Sequence, residues 1–216
     1  MSTDVGSTPG RRRTQEERSA TTRRALLEAT IDCLVEEGYA NLTTTKVAAR
    51  ARVSRGAQVH HFPTKATLVT EAVQYLIGQV SQSLFSEVGQ LPAGQERAGR
   101  ALDMLWQTFR GRLFQAALQL SMAGPADAEI EQKLTVLNQV TADLIRGSVP
   151  LLFPEEASHP DFEDALYTAI NTMTGLALSQ RVAKVSDAEI DARWRRTKAQ
   201  LLKLIEPREA STGLSE

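Results

Sequence analysis

The chain has 216 residues, 42% of them apolar, 24% charged and only 5% aromatic, which suits a helical globular protein and argues against a sheet-rich one. A single cysteine, Cys33, excludes an internal disulfide, and no run of roughly 18 apolar residues is present to cross a membrane as a helix. The net charge of −1 hides an asymmetry: residues 1–66 carry 11 Lys/Arg against 7 Asp/Glu, and the remainder carries 14 against 19. The first third is therefore basic and the rest acidic, so only one end suits a polyanion.

In chain order, residues 1–13 (MSTDVGSTPGRRR) lack apolar periodicity and read as a disordered tail. Arg11, Arg12 and Arg13 end it as a basic arm suited to phosphates or a minor groove, the alternative being a solubilising tail. The tail also lacks the apolar centre of a signal peptide, so a cytoplasmic location is expected. A first helix follows over residues 15–37, with Leu27, Ile31 and Leu34 as its stripe, widened by Leu26, Thr30, Cys33 and Val35. Cys33 reads there as an inert core thiol. Gly38 suits the left-handed residue that ends a helix.

Thr43 and Thr44 can cap a second helix with Val47, Ala48 and Ala51 on one side. Ser54 can cap a third, Arg55 to Phe62, which Pro63 stops. Each is too short to stand alone, so both must lean on the first helix. Three small helices with a basic, polar outer face describe a major-groove reader of the helix-turn-helix type.

The segments EEGYANLTT, VAARA and VSRGAQVHHFPTK make the match specific. Residues 27–65 resemble the DNA-binding domain of the tetracycline repressor (TetR) family of bacterial regulators, with its frequent V-S-K-G-T-L-Y-H-H-F-x-x-K pattern. The resemblance covers about a fifth of the chain. It implies DNA-binding residues at Thr44, Lys46, Arg52, Arg55, Gly56, Ala57, Val59, His60, His61 and Lys65. Arg55 would read guanine edges or nearby phosphates, Ala57 and Val59 a thymine methyl, His60 and His61 phosphates or bases, and Thr44 and Lys65 phosphates.

Two positions depart from that pattern. Arg52 stands where the family usually has a glycine suited to positive φ; an arginine held there costs roughly 1 kcal/mol or more, or the turn relaxes. Gln58-Val59 replaces Leu-Tyr, so Gln58, sharing the inward face of Phe62, must find hydrogen-bond partners or sit at an edge. Val59 lacks the hydroxyl that commonly meets the DNA backbone.

From Ala66 a long helix carries Leu68, Ala72, Tyr75, Leu76, Gln79 and Ser83 in one phase, ended by Gly89, Pro92 and Gly94. The body reads as helices over residues 95–112, 113–122, 127–149, 161–182 and 186–206, with a loop at PLLFPEEASHP and a polar tail over 207–216. The fold class is therefore all-α, about nine helices, divided into a helix-turn-helix domain over 14–66 and a larger helical ligand-binding and dimerisation domain over 67–206. The resemblance places a small-molecule pocket between the body helices. Its candidate lining is Trp106, Phe109, Met122, Leu137, Asn138, Thr141, Tyr167, Asn171 and Met173, which combines apolar walls with a few polar atoms. The last two helices would supply a homodimer face, with Met173, Ala177, Trp194 and Leu201 as candidates and Trp194 as anchor or core.

No enzymatic constellation accompanies these features. There is no phosphate-binding glycine loop, no Gly-x-Ser-x-Gly and no His-Glu-x-x-His. The lone Glu156-x-x-His159 sits among prolines, where a di-iron bundle would need two such motifs on helices. No metal or cofactor is implied. The expected partners are double-stranded DNA, a second copy of the chain and a small-molecule effector, with no membrane. The competing reading is an all-helical ligand-binding or scaffold protein whose basic head does not read DNA.

Overall fold

The computed structural model describes residues 14–94, 96–123 and 128–205. Among them lie nine α-helices: α1 Gln15–Asn41, α2 Thr44–Arg50, α3 Arg55–His61, α4 Lys65–Val88, α5 Glu96–Arg110, α6 Arg112–Ala123, α7 Ala128–Leu152, α8 Phe162–Val182 and α9 Asp187–Ile205. A 3-10 turn spans Glu156–Ser158. Arg11 to Arg13, the expected start of the helix at residue 127 and the C-terminal tail lie outside the described residues. The chain divides into two units, Met1–Ala72 and Val73–Glu216, so α4 is shared between them.

In the first unit, Thr14 and Glu17 close a reciprocal capping box that starts α1. Leu26, Leu27, Ile31 and Leu34 are all within 1% of full burial, which is the stripe expected from their spacing. Thr30 sits among them because its hydroxyl donates to the Leu26 carbonyl at 2.7 Å. Gly38, at φ 78°, breaks the helix, and Tyr39 and Leu42 beyond it are buried. The first two turns of α4 belong to this unit, with Leu68, Val69 and Ala72 fully buried and Glu71 paired to Arg23 of α1. The head core thus extends six residues past the boundary expected at residue 66.

In the second unit, α5, α8 and α9 share one core containing Leu102, Trp106, Ala169, Met173, Ile190 and Leu201. The rings of Trp106 and Trp194 stack with centroids 5.0 Å apart and planes 16° from parallel. Asp103 of α5 holds α9 from the same side, accepting from Trp194 Nε1 at 2.8 Å and Lys198 Nζ at 2.7 Å. Arg110 repeats the tie at the far end of α5, donating to Asp191 at 2.6 Å and Asp187 at 2.8 Å.

The sequence places a helix end before Pro150, yet α7 runs through it to Leu152. A proline lacks one backbone donor and crowds the carbonyl four residues earlier. Here it lies in the final turn, which Phe153 N–H closes on the Val149 carbonyl at 2.9 Å, and Leu152 and Phe153 are buried in the core. Core burial outweighs the one missing bond. Most of the expected loop after it is turn, but it includes the 3-10 segment that carries Glu156.

Candidate nucleic-acid interface and ligand cleft

The geometry of α2, the turn and α3 follows from local chemistry. Thr43 Oγ1 accepts from Lys46 N at 3.2 Å and caps α2. The helix then closes in a Schellman arrangement, with Val53 N–H on the Ala48 carbonyl at 3.0 Å and Arg52 N–H on the Ala49 carbonyl at 3.1 Å. That arrangement requires a left-handed residue, and Arg52 supplies it at φ 56°. The strain expected of Arg52 is therefore present, held by the two hydrogen bonds. Ser54 Oγ caps α3 by accepting from Ala57 N at 3.2 Å.

Gln58 is 1% exposed, and its Nε2 donates to the Phe62 carbonyl at 2.7 Å. The buried amide thus satisfies the carbonyl at the end of its own helix, which is how a glutamine replaces the usual leucine here. Phe62 is fully buried beneath the Arg23 guanidinium, 5.4 Å from its ring centroid.

On the opposite face of α3, Arg55, Gly56, Val59 and His60 are exposed. Arg55 Nη1 donates to Thr45 Oγ1 at 3.2 Å, so a threonine of α2 aims the first side chain of α3. Sequence reasoning missed Thr45; the only signal was its place in the run Thr43-Thr44-Thr45. A Cβ added at Gly56 would meet nothing within 4 Å, so the fold does not require this glycine. Gly56→Ala is expected to raise head stability by up to about 1 kcal/mol through helix propensity while weakening DNA affinity. Thermal melts and gel-shift titrations of one preparation check this, and undiminished affinity would show that α3 does not approach DNA at Gly56.

The other expected contacts divide. Arg52 is exposed and has no partner among the described residues. Thr44 and Ala57 are partly buried at the edge of the face. His60 and His61 meet edge to face at 5.5 Å, and burial, with His60 and Arg23 nearby, holds the His61 imidazole below the ordinary histidine value. Lys46 is tied to the end of α1 through Glu37 and the Asn41 carbonyl. Lys65 is turned inward: its ammonium donates to the Tyr39 carbonyl at 2.7 Å and lies 3.9 Å over the Tyr39 ring. It thereby ties the start of α4 to the end of α1. Arg50 is likewise committed, with Nη1 and Nη2 both donating to Glu36 at 2.6 Å. Cys33 is buried and free, its thiol pushed up in pKa by burial.

In the body neither of the two clefts described below brings the nine expected ligand residues together. Trp106, Leu137 and Met173 are buried, whereas Met122 and Tyr167 are about 70% exposed (72% and 70%). Asn138 and Asn171 face outward, and Asn171 and Thr141 bond to carbonyls of their own helices. Phe109 lines a small cavity of about 300 Å³ beside Phe114 and Ala177. The larger cleft, about 690 Å³, lies between the second half of α4 and the face of α5 that carries Arg100, Asp103, Met104 and Gln107. Its sequence signal was the polar pair Gln79 and Ser83 in the otherwise apolar phase of α4.

The four expected dimer residues are internal. Met173, Ala177, Trp194 and Leu201 are at most 5% exposed, and all belong to the protomer's core. Helical phase identified their burial, and in the single chain they pack on one another's helices. Among the described residues no group of three metal-ligating side chains forms, and His159 Nδ1 accepts from the Asp161 backbone at 3.3 Å.

The sequence profile of bacterial regulatory proteins of the TetR family matches residues 26–72, the whole helix-turn-helix unit and the start of α4. The HTH-type transcriptional regulator CymR of Pseudomonas putida is 32% identical over 172 residues, 78% of this chain and 83% of that protein. The chain belongs to the TetR family. It is a DNA-binding transcriptional regulator, and the reading as a scaffold that ignores DNA falls away. Two solved structures share the TetR fold. One is a transcriptional regulator from Saccharomonospora viridis in complex with choline, at TM-score 0.65 and 16% identity, covering 88% of this chain and 97% of that one. The other is FadR from Bacillus subtilis in complex with stearoyl-CoA, at TM-score 0.61 and 14% identity, covering 85% and 97%. No helix of the described residues is long and apolar enough to cross a membrane.

Proposed function

We propose that this TetR-family chain is a cytoplasmic homodimeric repressor, released from a near-palindromic operator when a small molecule enters the body. The observation that carries the reading is the outward face of α3, where Arg55, Gly56, Val59 and His60 are exposed and a Cβ at Gly56 would meet nothing within 4 Å. Arg55 reads a guanine edge, Gly56 and Ala57 permit close approach, and Ala57 and Val59 meet a thymine methyl. Thr44, Arg52, His60 and His61 serve the phosphates, and Lys46 and Lys65 contribute only their field.

One head buries too little surface for tight specific binding, so two are required. The dimer face is assigned to the outward stripes Tyr167, Asn171 and Gly175 of α8 and Arg196, Gln200 and Leu204 of α9, all exposed in the protomer. The small-molecule complexes of the S. viridis and B. subtilis proteins support a ligand site in the body. An effector acts to the extent that it prefers the state with low DNA affinity.

The test titrates the full chain into duplex from upstream of its own gene and into a scrambled duplex, across a salt series. Specific retention with a steep fall in affinity as salt rises is expected, because phosphate contacts release counterions. Absent or salt-insensitive binding rules the DNA reading out.

A further inference from the structure

The large cleft carries a charge pattern that limits what can occupy it. Its walls mix polar groups with an apolar stripe of Leu76, Val80 and Leu84 on α4, Met104 on α5, Leu113 at the start of α6, and Leu91 after α4. The volume of about 690 Å³ falls within the range of small-molecule sites. Four charged residues line it: Arg100, Arg112, Glu87 and Asp103. Both Asp103 oxygens are occupied, by Trp194 Nε1 at 2.8 Å and by Lys198 Nζ at 2.7 Å, so its charge is already balanced. Glu87 accepts from Ser83 Oγ at 2.8 Å. Arg100 has no partner among the described residues.

With Asp103 balanced by Lys198, the guanidinium of Arg100 is left on the cleft wall without a partner among the described residues. Gly111, Arg112 and Leu113, at the N-terminal end of the 12-residue α6, line the same cleft. No carboxylate lies in the first turn of α6, so the positive end of its dipole reinforces the field. No aromatic ring lines the cleft to receive a quaternary ammonium.

We propose that this cleft binds a small organic carboxylate with an apolar body, its carboxylate paired with Arg100 and its body against the leucine wall. The proposal rests on the reading of the chain as a ligand-responsive regulator and names the chemical class of its effector. A guanidinium and a carboxylate make a bidentate, charge-assisted pair, and the apolar wall supplies the rest of the affinity.

The cleft has a built-in reporter. Trp106 and Trp194 are the chain's two tryptophans, stacked on each other, and Trp194 is bonded to the cleft-wall Asp103. Octanoate and benzoate, their amides octanamide and benzamide, and choline are titrated into the full chain by calorimetry and tryptophan fluorescence. Saturable binding is expected for the two acids, with a fluorescence change, and little or none for the amides and choline. Arg100→Gln should weaken the acids roughly tenfold, since a hydrogen bond to a charged group is strong but the site is open to water. Arg100→Lys should restore part of that loss, and Glu87→Gln should tighten the acids by removing a like charge. Arg100 is exposed, and a circular-dichroism melt confirms that each variant is folded.

Amides or choline binding as tightly as the acids, an Arg100→Gln protein binding like wild type, or neither acid binding at millimolar concentration would each overturn the proposal. The same preparations are assayed for DNA retention without any probe. Retained salt-dependent DNA binding with no response to acids removes only the effector class, whereas lost DNA binding removes the regulatory reading itself.

Discussion

Arg55→Ala is expected to abolish sequence-specific operator binding while leaving the head folded. A bidentate arginine–guanine pair is worth about 1–3 kcal/mol of discrimination, so each half-site loses roughly 5- to 150-fold, and a dimer loses that factor twice. Within the fold Arg55 makes only the exposed 3.2 Å contact to Thr45, so the thermal midpoint should not move. Thr45→Val should produce a smaller loss of the same kind, because it frees the guanidinium without removing it. Competition gel shifts with specific and scrambled duplex, beside melts of the same samples, measure both effects. If Arg55→Ala keeps full specificity, α3 presents a different face to the groove.

Trp194→Ala is expected to destabilise the body by about 3–5 kcal/mol, the usual cost of removing a large buried aromatic side chain. That is a large fraction of a typical domain stability of about 5–15 kcal/mol. The change removes the stack on Trp106, leaves a cavity between α5 and α9, and deprives Asp103 of one donor. Trp194→Phe, which keeps a ring but loses the donor, should fall between the two. Urea unfolding followed by circular dichroism gives the values. Were Trp194 a subunit anchor, the variant would instead keep its protomer stability and lose only concentration-dependent association. The 5% exposure of Trp194 in the single chain speaks for the first outcome.

Much of the head was legible because its determinants are local. The caps at Thr43 and Ser54, the break at Gly38 and the stripe Leu27–Ile31–Leu34 are each set within a few residues. Even the two departures could be read ahead: Arg52 at positive φ and Gln58 buried with its amide bonded are consequences of backbone closure and helical phase. The body was legible as helices but not as a site. Periodicity marked Trp106, Met173 and Trp194 as inward, and they are inward, but against one another rather than around a ligand or across a dimer.

The sequence by itself determined the all-helical class and the helix-turn-helix unit of a TetR-family regulator. Tertiary structure alone decided that Lys65 turns onto Tyr39, that α7 passes Pro150, and that Arg100 is left unpartnered on a cleft wall while Asp103 is committed to α9. The reason is physical. Capping and periodicity act within one or two turns of chain, whereas a cleft and a charge balance depend on which distant helices come to lie beside each other.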